Sequence, residues 1–418
     1  MSAARDGSAV RNGSAVRSGS DGSYAALARE LQATGLISDP WLRGAPRFEE
    51  RPRVLERAEW TAAVACAEAV AAAYDELVRL CAAEPALLES FFAMTPAQRA
   101  MFRASAPLWH GVARADVFFT ERGPVCCELN CDTPSGQAEA VLLGARAARG
   151  RRDVFDPSAR LEDATCGLLG ALAPCASIGI VYPTEMTEDL SMVALYRRWF
   201  EARGARVVLG SPFNLALRGG AVHLLGEPVD LVVRHYKTDW WGEREPVWDD
   251  AEGFQDEAPL AALEPMLAAA RAGACAFVNP FAAVLPQNKR AMAFFWEHLD
   301  RFSEPARRAI RAYVPRTVRL EAAADRARER WVLKSDYGCE GAEVVVGADV
   351  DDAEWNACMM HAIPRRWVLQ ERFDARGGEN LGVYLVAGRA AGAYLRVQRG
   401  ATDDRAKSAP VLVRRRRA

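Results

Sequence analysis

The stretch Arg114-Ala-Asp116-Val-Phe-Phe-Thr-Glu-Arg-Gly-Pro-Val125-Cys-Cys-Glu128-Leu-Asn130 decides how the rest of the chain is read. Turn chemistry at Glu121–Pro124 separates two runs rich in β-branched and aromatic residues, so the segment reads as an antiparallel hairpin. Centred near Arg122, it sets opposite one another the residues whose numbers sum to 244. Asp116 then faces Glu128, and Arg114 faces Asn130. Cross-strand partners and residues two apart share a face, so these four polar groups gather on one side. Phe119, Val125, Val117, Cys127, Ala115 and Leu129 fall on the core side. Two facing carboxylates repel. A divalent cation held by hard oxygens neutralises them, with Asn130 adding a carbonyl, and that ligand set suits Mg²⁺ shared with nucleotide phosphates. Arg114 pairing with both acids at the surface would neutralise them too, and a slip of one residue would dissolve the arrangement.

A second stretch, Trp331-Val-Leu-Lys334-Ser-Asp-Tyr-Gly338-Cys-Glu-Gly341-Ala-Glu-Val-Val-Val346, reads as strand, glycine-bearing turn, strand. A lysine ending a strand beside two glycines can hold phosphates: the ammonium supplies charge and the glycines let backbone N–H groups approach closely. An ordinary hairpin with a solvated lysine has the same pattern. Of 53 basic residues only Lys237, Lys289, Lys334 and Lys407 are lysines. A lysine retained in so arginine-rich a chain is enriched for sites that need a slim point charge rather than a planar fork. Lys289 opens a helix, where a cation opposes the helix dipole unless an anion lies nearby. Trp367-Val-Leu-Gln370-Glu371-Arg372-Phe373 is an apolar strand running into polar residues that can meet an adenine edge or ribose.

Around these motifs, residues 1–22 are Gly, Ser, Ala, Arg and Asp in an imperfect repeat (DGSAVR, NGSAVR) and are expected to be a disordered tail. Residues 23–105 read as helices, with apolar positions at helical spacing through Val64, Ala67, Ala71, Tyr74, Val78 and Cys81. Helices over 136–149 and 161–172 follow, then a small α/β unit with a partly parallel sheet: strand 178–182, helix 188–203, strands 206–209 and 231–235. Helices at 259–272, 289–300 and 304–312 surround a strand at 275–279. The last hundred residues read as α+β, ending in a solvated basic tail, 414–418. A formal net charge of −2 offers no pull toward nucleic acid or anionic membrane, and no run of 18 apolar residues spans a bilayer. Ten scattered cysteines without a CxxC pair, and no apolar leader, point to a reduced cytoplasmic protein.

In this order the pieces resemble the synthetase domain of glutathionylspermidine synthase and its circularly permuted ATP-grasp relatives, over roughly residues 100–410. The resemblance rests on the hairpin with Glu128-Leu-Asn130-Cys-Asp-Thr-Pro134-Ser-Gly136, Asn279-Pro280, Asn288-Lys289, Val314-Pro-Arg-Thr317, Lys334 with its loop, Gln370-Glu371 and Gly392-Ala-Tyr-Leu-Arg396. The metal-binding acids precede the lysine strands here, whereas ordinary ATP-grasp enzymes have them after. The resemblance implies an α/β (α+β) ATP-grasp fold in permuted order, with a small Rossmann-like unit at 173–280 for substrate and nucleotide-binding subdomains at 281–413. It implies ATP and Mg²⁺ as cofactors. Asp116, Glu128 and Asn130 would hold the metal, Lys289, Lys334, Gly338 and Gly341 the phosphates, and Gln370, Glu371 and Arg372 the adenine. Arg114 would meet the γ-phosphate or acyl phosphate, with Arg396 as helper. The implied chemistry is phosphorylation of a carboxylate by ATP, then attack by an amine.

The chain carries no amidase domain of the kind some relatives have. Its Val233-Arg-His-Tyr-Lys237-Thr238-Asp-Trp-Trp241-Gly-Glu243 is more basic than a polyamine site, which favours an anionic, amino-acid- or peptide-like substrate. A homodimer is left open. The competing readings are an ATP-binding phosphotransferase or regulatory module, and a helical scaffold, which leaves the facing carboxylates unexplained.

Overall fold

A five-stranded antiparallel sheet is the platform of the molecule, in the order 407–409, 389–397, 379–386, 112–120, 123–130. The computed structural model describes residues 20–244, 258–338, 343–398 and 405–416. One face of the platform packs on helix Arg57–Ala83, which starts at a capping box in which Glu56 N–H donates to Glu59 Oε2 at 2.7 Å. Its buried residues, Ala63, Cys66, Ala67, Val70, Ala71, Ala73, Tyr74, Leu77, Val78 and Cys81, recur at three- and four-residue spacing. The stripe is centred nearer Ala63 than Val64, which is half-buried.

A second, four-stranded antiparallel sheet, the lysine sheet, has the order 317–319, 367–371, 331–335, 344–346. Strand Trp331–Ser335 pairs with Val344–Val346 as the sequence suggests, Val332 facing Val346. Helix Asp352–His361, N-capped by the Asp351 carboxylate at 2.9 Å, packs on it and has no counterpart in the sequence reading. Its apolar residues, Trp355, Ala357, Cys358, Met359 and Met360, are spread around the helix instead of gathering on one face, so periodicity carries no signal there.

The small α/β unit is wholly parallel rather than partly so, in the order 276–278, 231–234, 177–181, 206–210. Strand Leu231–Arg234 is buried throughout, as expected for a parallel strand covered on both faces. A meander of strands at 215–218, 221–224 and 227–228, which the sequence reading also lacks, lies beside it.

The helical reading of 23–105 is corrected in part. Helices Ser20–Ala33, Arg57–Ala83 and Pro96–Ser105 are present, but 41–42, 45–46 and 53–55 are short strands. Residues 20–22 belong to the first helix rather than to a tail, and 1–19 lie outside the described residues. Arg53–Leu55 pairs in parallel with Val411–Arg414, so Arg414 ends a strand and bonds Glu56 at 2.7 Å instead of starting a solvated tail. Among the described residues no helix is long and apolar enough to cross a membrane.

Candidate functional site

The hairpin pairs Arg114 with Asn130, Ala115 with Leu129 and Asp116 with Glu128, the register that gathers the four polar groups. Beyond Asp116 the register shifts: Val117 faces Cys126 and Thr120 faces Gly123. Cys127 is the extra residue of a bulge. Cys126, not Cys127, is therefore the fully buried core residue, and Cys127 turns toward the polar face. Burial pushes the Cys127 thiol up to about 11, and the charges it feels are those of Lys334, Asp116, Glu128 and Arg396.

Asp116 is 3% exposed. Its Oδ1 accepts from Arg114 Nε at 2.8 Å, and its Oδ2 from Arg396 Nη2 at 2.6 Å and Asn380 Nδ2 at 3.4 Å. Burial alone would raise its pKa, but Arg114 and Arg396 overcome that and hold the carboxyl at about 2. Arg114 Nη1 donates to Ser135 O at 2.9 Å, which ties the hairpin to the loop opening helix Gln137–Ala148. Gly382 lies opposite Asp116, and a Cβ there would come within 2.6 Å of Arg114 Cδ, so only glycine leaves the Arg114 chain its path. At Gly136, with φ +90°, a Cβ would strike the Tyr394 ring at 2.7 Å.

The lysines enter from the other side. Lys289 caps helix Arg290–Glu297 and places Nζ 3.1 Å from Glu128 Oε1 and 2.5 Å from Gly338 O. Glu128 is thus the anion that a lysine at a helix start requires. Lys334 Nζ donates to Gln370 Oε1 at 2.7 Å, and Gln370 Nε2 reaches Cys127 O and Thr317 Oγ1, each at 3.3 Å. Gln370 therefore bridges the lysine sheet to the hairpin. Arg114, Asp116, Glu128, Asn130, Arg396, Lys289, Lys334, Gly338 and Gln370 are brought together. Glu371 points away, 3.4 Å from Arg330, and Arg372 pairs outside with Asp374 at 2.8 Å. The backbone N–H groups of Glu371 and Arg372 donate to Arg316 O and Arg330 O. Gly341 lies outside the described residues.

The residues that would hold a metal amount to two carboxylates and an amide. Among the described residues no three His, Cys, Asp or Glu side chains converge as a metal cluster. Two buried amide atoms in the cluster nevertheless lack partners: Asn380 Oδ1, an acceptor, and Asn130 Nδ2, a donor. An oxygen-seeking cation would satisfy the first and a phosphate oxygen the second, so the donor set fits a cation that arrives with phosphates. Asn380 escapes a sequence reading because its contact with Asp116 spans 264 residues.

The neighbouring stretch 233–243 is not a free basic surface. Arg234, fully buried, donates from Nη2 to Asp132 Oδ1 at 2.5 Å and from Nε to Asn279 O at 3.1 Å. Lys237 Nζ reaches Tyr337 O at 3.1 Å and Asp239 Oδ2 at 3.2 Å. Arg366 pairs with Asp336 and Glu243, at 2.6 and 3.0 Å. The surplus of basic charge inferred from the sequence is answered by these acids. Asn279 acts as a staple: its Oδ1 accepts from Gly111 N and Val112 N, both at 2.8 Å, and its Nδ2 donates to Val112 O and Asp132 O. The parallel sheet is thereby joined to the strand that carries Arg114 and Asp116.

No family model matches the chain, and no curated protein matches it by sequence. Among solved structures, a putative gamma-glutamylcysteine synthetase from Methylobacillus flagellatus KT aligns over 78% of this chain and 84% of its own at 12% identity, with a TM-score of 0.43. A glutathione synthetase-like effector (GSS30) from Globodera pallida, in apo form, aligns over 93% of this chain and 96% of its own at 12% identity, with a TM-score of 0.59. The chain is thus similar in fold, across nearly its whole length, to a glutathione synthetase-like protein.

Proposed function

We propose that the chain is an ATP-dependent ligase that joins a carboxylate to an amine, with a magnesium–nucleotide complex seated between the platform sheet and the lysine sheet. One juxtaposition carries this reading: the facing pair Asp116 and Glu128 lies among Arg114, Arg396, Lys289 and Lys334. Four cations against two carboxylates leave positive charge in surplus, complementary to the net negative charge of such a complex. The glutathione synthetase-like fold and the permuted motif order support it.

In this reading Asp116, Glu128 and Asn130 hold Mg²⁺, which supplies charge neutralisation at the phosphates. Lys289 and Lys334 bind phosphate oxygens, with backbone support from the glycine loop at Gly338 and Gly341. Gln370 sets the Lys334 ammonium at 2.7 Å, and the adenine sits past the end of its strand, where the Glu371 and Arg372 N–H groups, already bonded to Arg316 O and Arg330 O, are not its donors. Residues 281–413 supply the nucleotide-binding subdomains and 173–280 the substrate unit. A substrate carboxylate oxygen attacks the γ-phosphorus and ADP leaves; the amine nitrogen then attacks the acyl carbon, an amide bond forms and phosphate departs. Arg114, aided by Arg396, stabilises the charge on the transferred phosphoryl group. With Arg234 and Lys237 already paired, the preference for an anionic substrate loses its basis, and an amino-acid- or peptide-like substrate of either charge is compatible.

Lys334→Ala tests the site. Calorimetry with ATP and Mg²⁺ is expected to show nucleotide binding lost at an unchanged melting temperature; unchanged affinity would sink the assignment.

A further inference from the structure

Away from the Asp116 cluster, a cavity of about 440 Å³ opens between helix Gln137–Ala148, strand Val154–Phe155 and the start of helix Leu161–Leu172. That volume lies within the range of small-molecule sites, roughly 300–1,000 Å³. Val141, Ala145, Ala148 and Phe155 supply apolar walls, and Asp156 and Ser158 line the cavity with them.

Four charged side chains line the same space, and three are already committed. Arg151 pairs with Asp153 at 3.2 Å, and Glu162 with Arg203. Arg415 lies over the Phe155 ring at 5.9 Å and donates to Val154 O at 2.9 Å. Asp156 is different. It accepts one hydrogen bond, from Ser158 N at 2.8 Å, and among the described residues no cation lies within ion-pairing distance. The space its carboxyl occupies is left by Gly144: a Cβ there would sit 2.6 Å from Asp156 Oδ1. The carboxyl is thus placed by a glycine, beside apolar walls, with Arg151 and Arg415 of the same lining held on other partners. Burial raises its pKa to about 6, so it remains ionised at pH 8.

We propose that this cavity is a second ligand site, which takes a small organic cation: a primary ammonium paired with Asp156, its apolar body against Val141, Ala148 and Phe155. An unpaired carboxylate beside apolar walls is costly, and an ammonium that carries its own apolar surface satisfies both parts of the site at once. The wall is also tied to the platform sheet. Ser158 Oγ donates to Ala393 O at 3.1 Å and accepts from Ala393 N at 3.0 Å, on the strand that carries Arg396. The site shares no residue with the nucleotide cluster and does not depend on the ligase reading.

The test is calorimetry at pH 8 with 2-phenylethylamine and, as its uncharged counterpart, 2-phenylethanol. The intact protein is expected to bind the amine about tenfold more tightly, the size of one charge-assisted hydrogen bond. Asp156→Asn should erase that preference at an unchanged melting temperature, and so should lowering the pH of the intact protein to 5, where Asp156 is protonated. Ala148→Trp, which fills the cavity, should abolish binding of both and decides the matter if Asp156→Asn fails to fold. Equal affinity for amine and alcohol, no binding of either, a preference that survives Asp156→Asn, or binding that survives Ala148→Trp overturns the proposal.

Discussion

The two walls of the candidate site are built to different specifications. The platform sheet, with Arg114, Asp116, Glu128 and Arg396, rests on the largest core of the molecule, through helix Arg57–Ala83 and the buried run Phe281–Leu285. The lysine sheet, with Lys334 and Gln370, has one face on a separate core of six buried residues, Leu320, Trp331, Leu333, Trp355, Ala362 and Leu369, while Val368 on its other face joins the largest core. Their carboxylates differ in the same sense. Asp116 is held at about 2 by two arginines, while Asp336, at the end of strand Trp331–Ser335, is pushed up to about 6 by burial, which Arg366 offsets in part. One wall is fixed by a large core and a satisfied charge network. The other has only a small core to itself and carries an unfavourably buried charge, which is the profile of a region with lower local stability.

Three measurements would break or sharpen that contrast. The largest effect is expected from Asp116→Asn, which leaves the buried Arg114 and the partly buried Arg396 facing a neutral group. A loss of about 4 kcal/mol in global stability should appear in denaturant melts, because removing one partner of a buried pair strands the other. A loss below about 1 kcal/mol would mean that the platform does not depend on this network.

Next comes Trp355→Ala, which removes one of the two tryptophans of the small core and its Nε1 bond to Arg326 O at 3.1 Å. The cost should be about 3 kcal/mol, confined to the lysine sheet. Hydrogen exchange should quicken over 331–371 and stay unchanged over 57–83 and 112–130. Uniform loss of protection would show that the two walls unfold as one unit.

The smallest effect is a pH slope. Asp336 has a raised folded pKa, so between about pH 4 and 6 the folded chain holds a proton that the unfolded chain has lost. Stability should therefore rise as the pH falls through that window, by about 2.7 kcal/mol from Asp336, and Asp336→Asn should remove that share and leave the share of Asp156, whose pKa is raised to the same value. Asp116 has the opposite sign: its stabilisation is fully present above about pH 4 and is lost as the pH falls through about 2. A slope between pH 4 and 6 that is unchanged by Asp336→Asn would place its origin elsewhere.

Much of the platform was legible in the chain, because hairpin pairing is local. Turn chemistry at Glu121–Pro124 and the period of two were enough to set Asp116 against Glu128. The one-residue error beyond Asp116 has a clear cause: a bulge changes the count of residues without changing their types, so Cys126 and Cys127 could exchange faces unnoticed. The lysine sheet was less legible. Its strands were visible as apolar runs, but the helix at 352–361 has no apolar stripe, and the partner of Lys334, Gln370, lies 36 residues away. The basic character of residues 233–243 misled for a related reason: composition counts charges without their partners, and Asp132, the partner of Arg234, comes 102 residues earlier.

The sequence by itself determined what depends on nearest neighbours: the hairpin and its facing carboxylates, the helical stripe of 57–83, and the strand–loop–strand unit around Lys334. Only the tertiary structure decided what depends on distant segments meeting. Arg396 and Asn380 close on Asp116, Lys289 finds its counter-ion in Glu128, Asn279 staples the parallel sheet to the hairpin, and Gly144 makes room for Asp156. Side-chain alternation and turn chemistry are short-range properties, read within a few residues. Charge pairing and packing are settled by whichever groups the folded chain brings within a few ångströms, however far apart they lie along it.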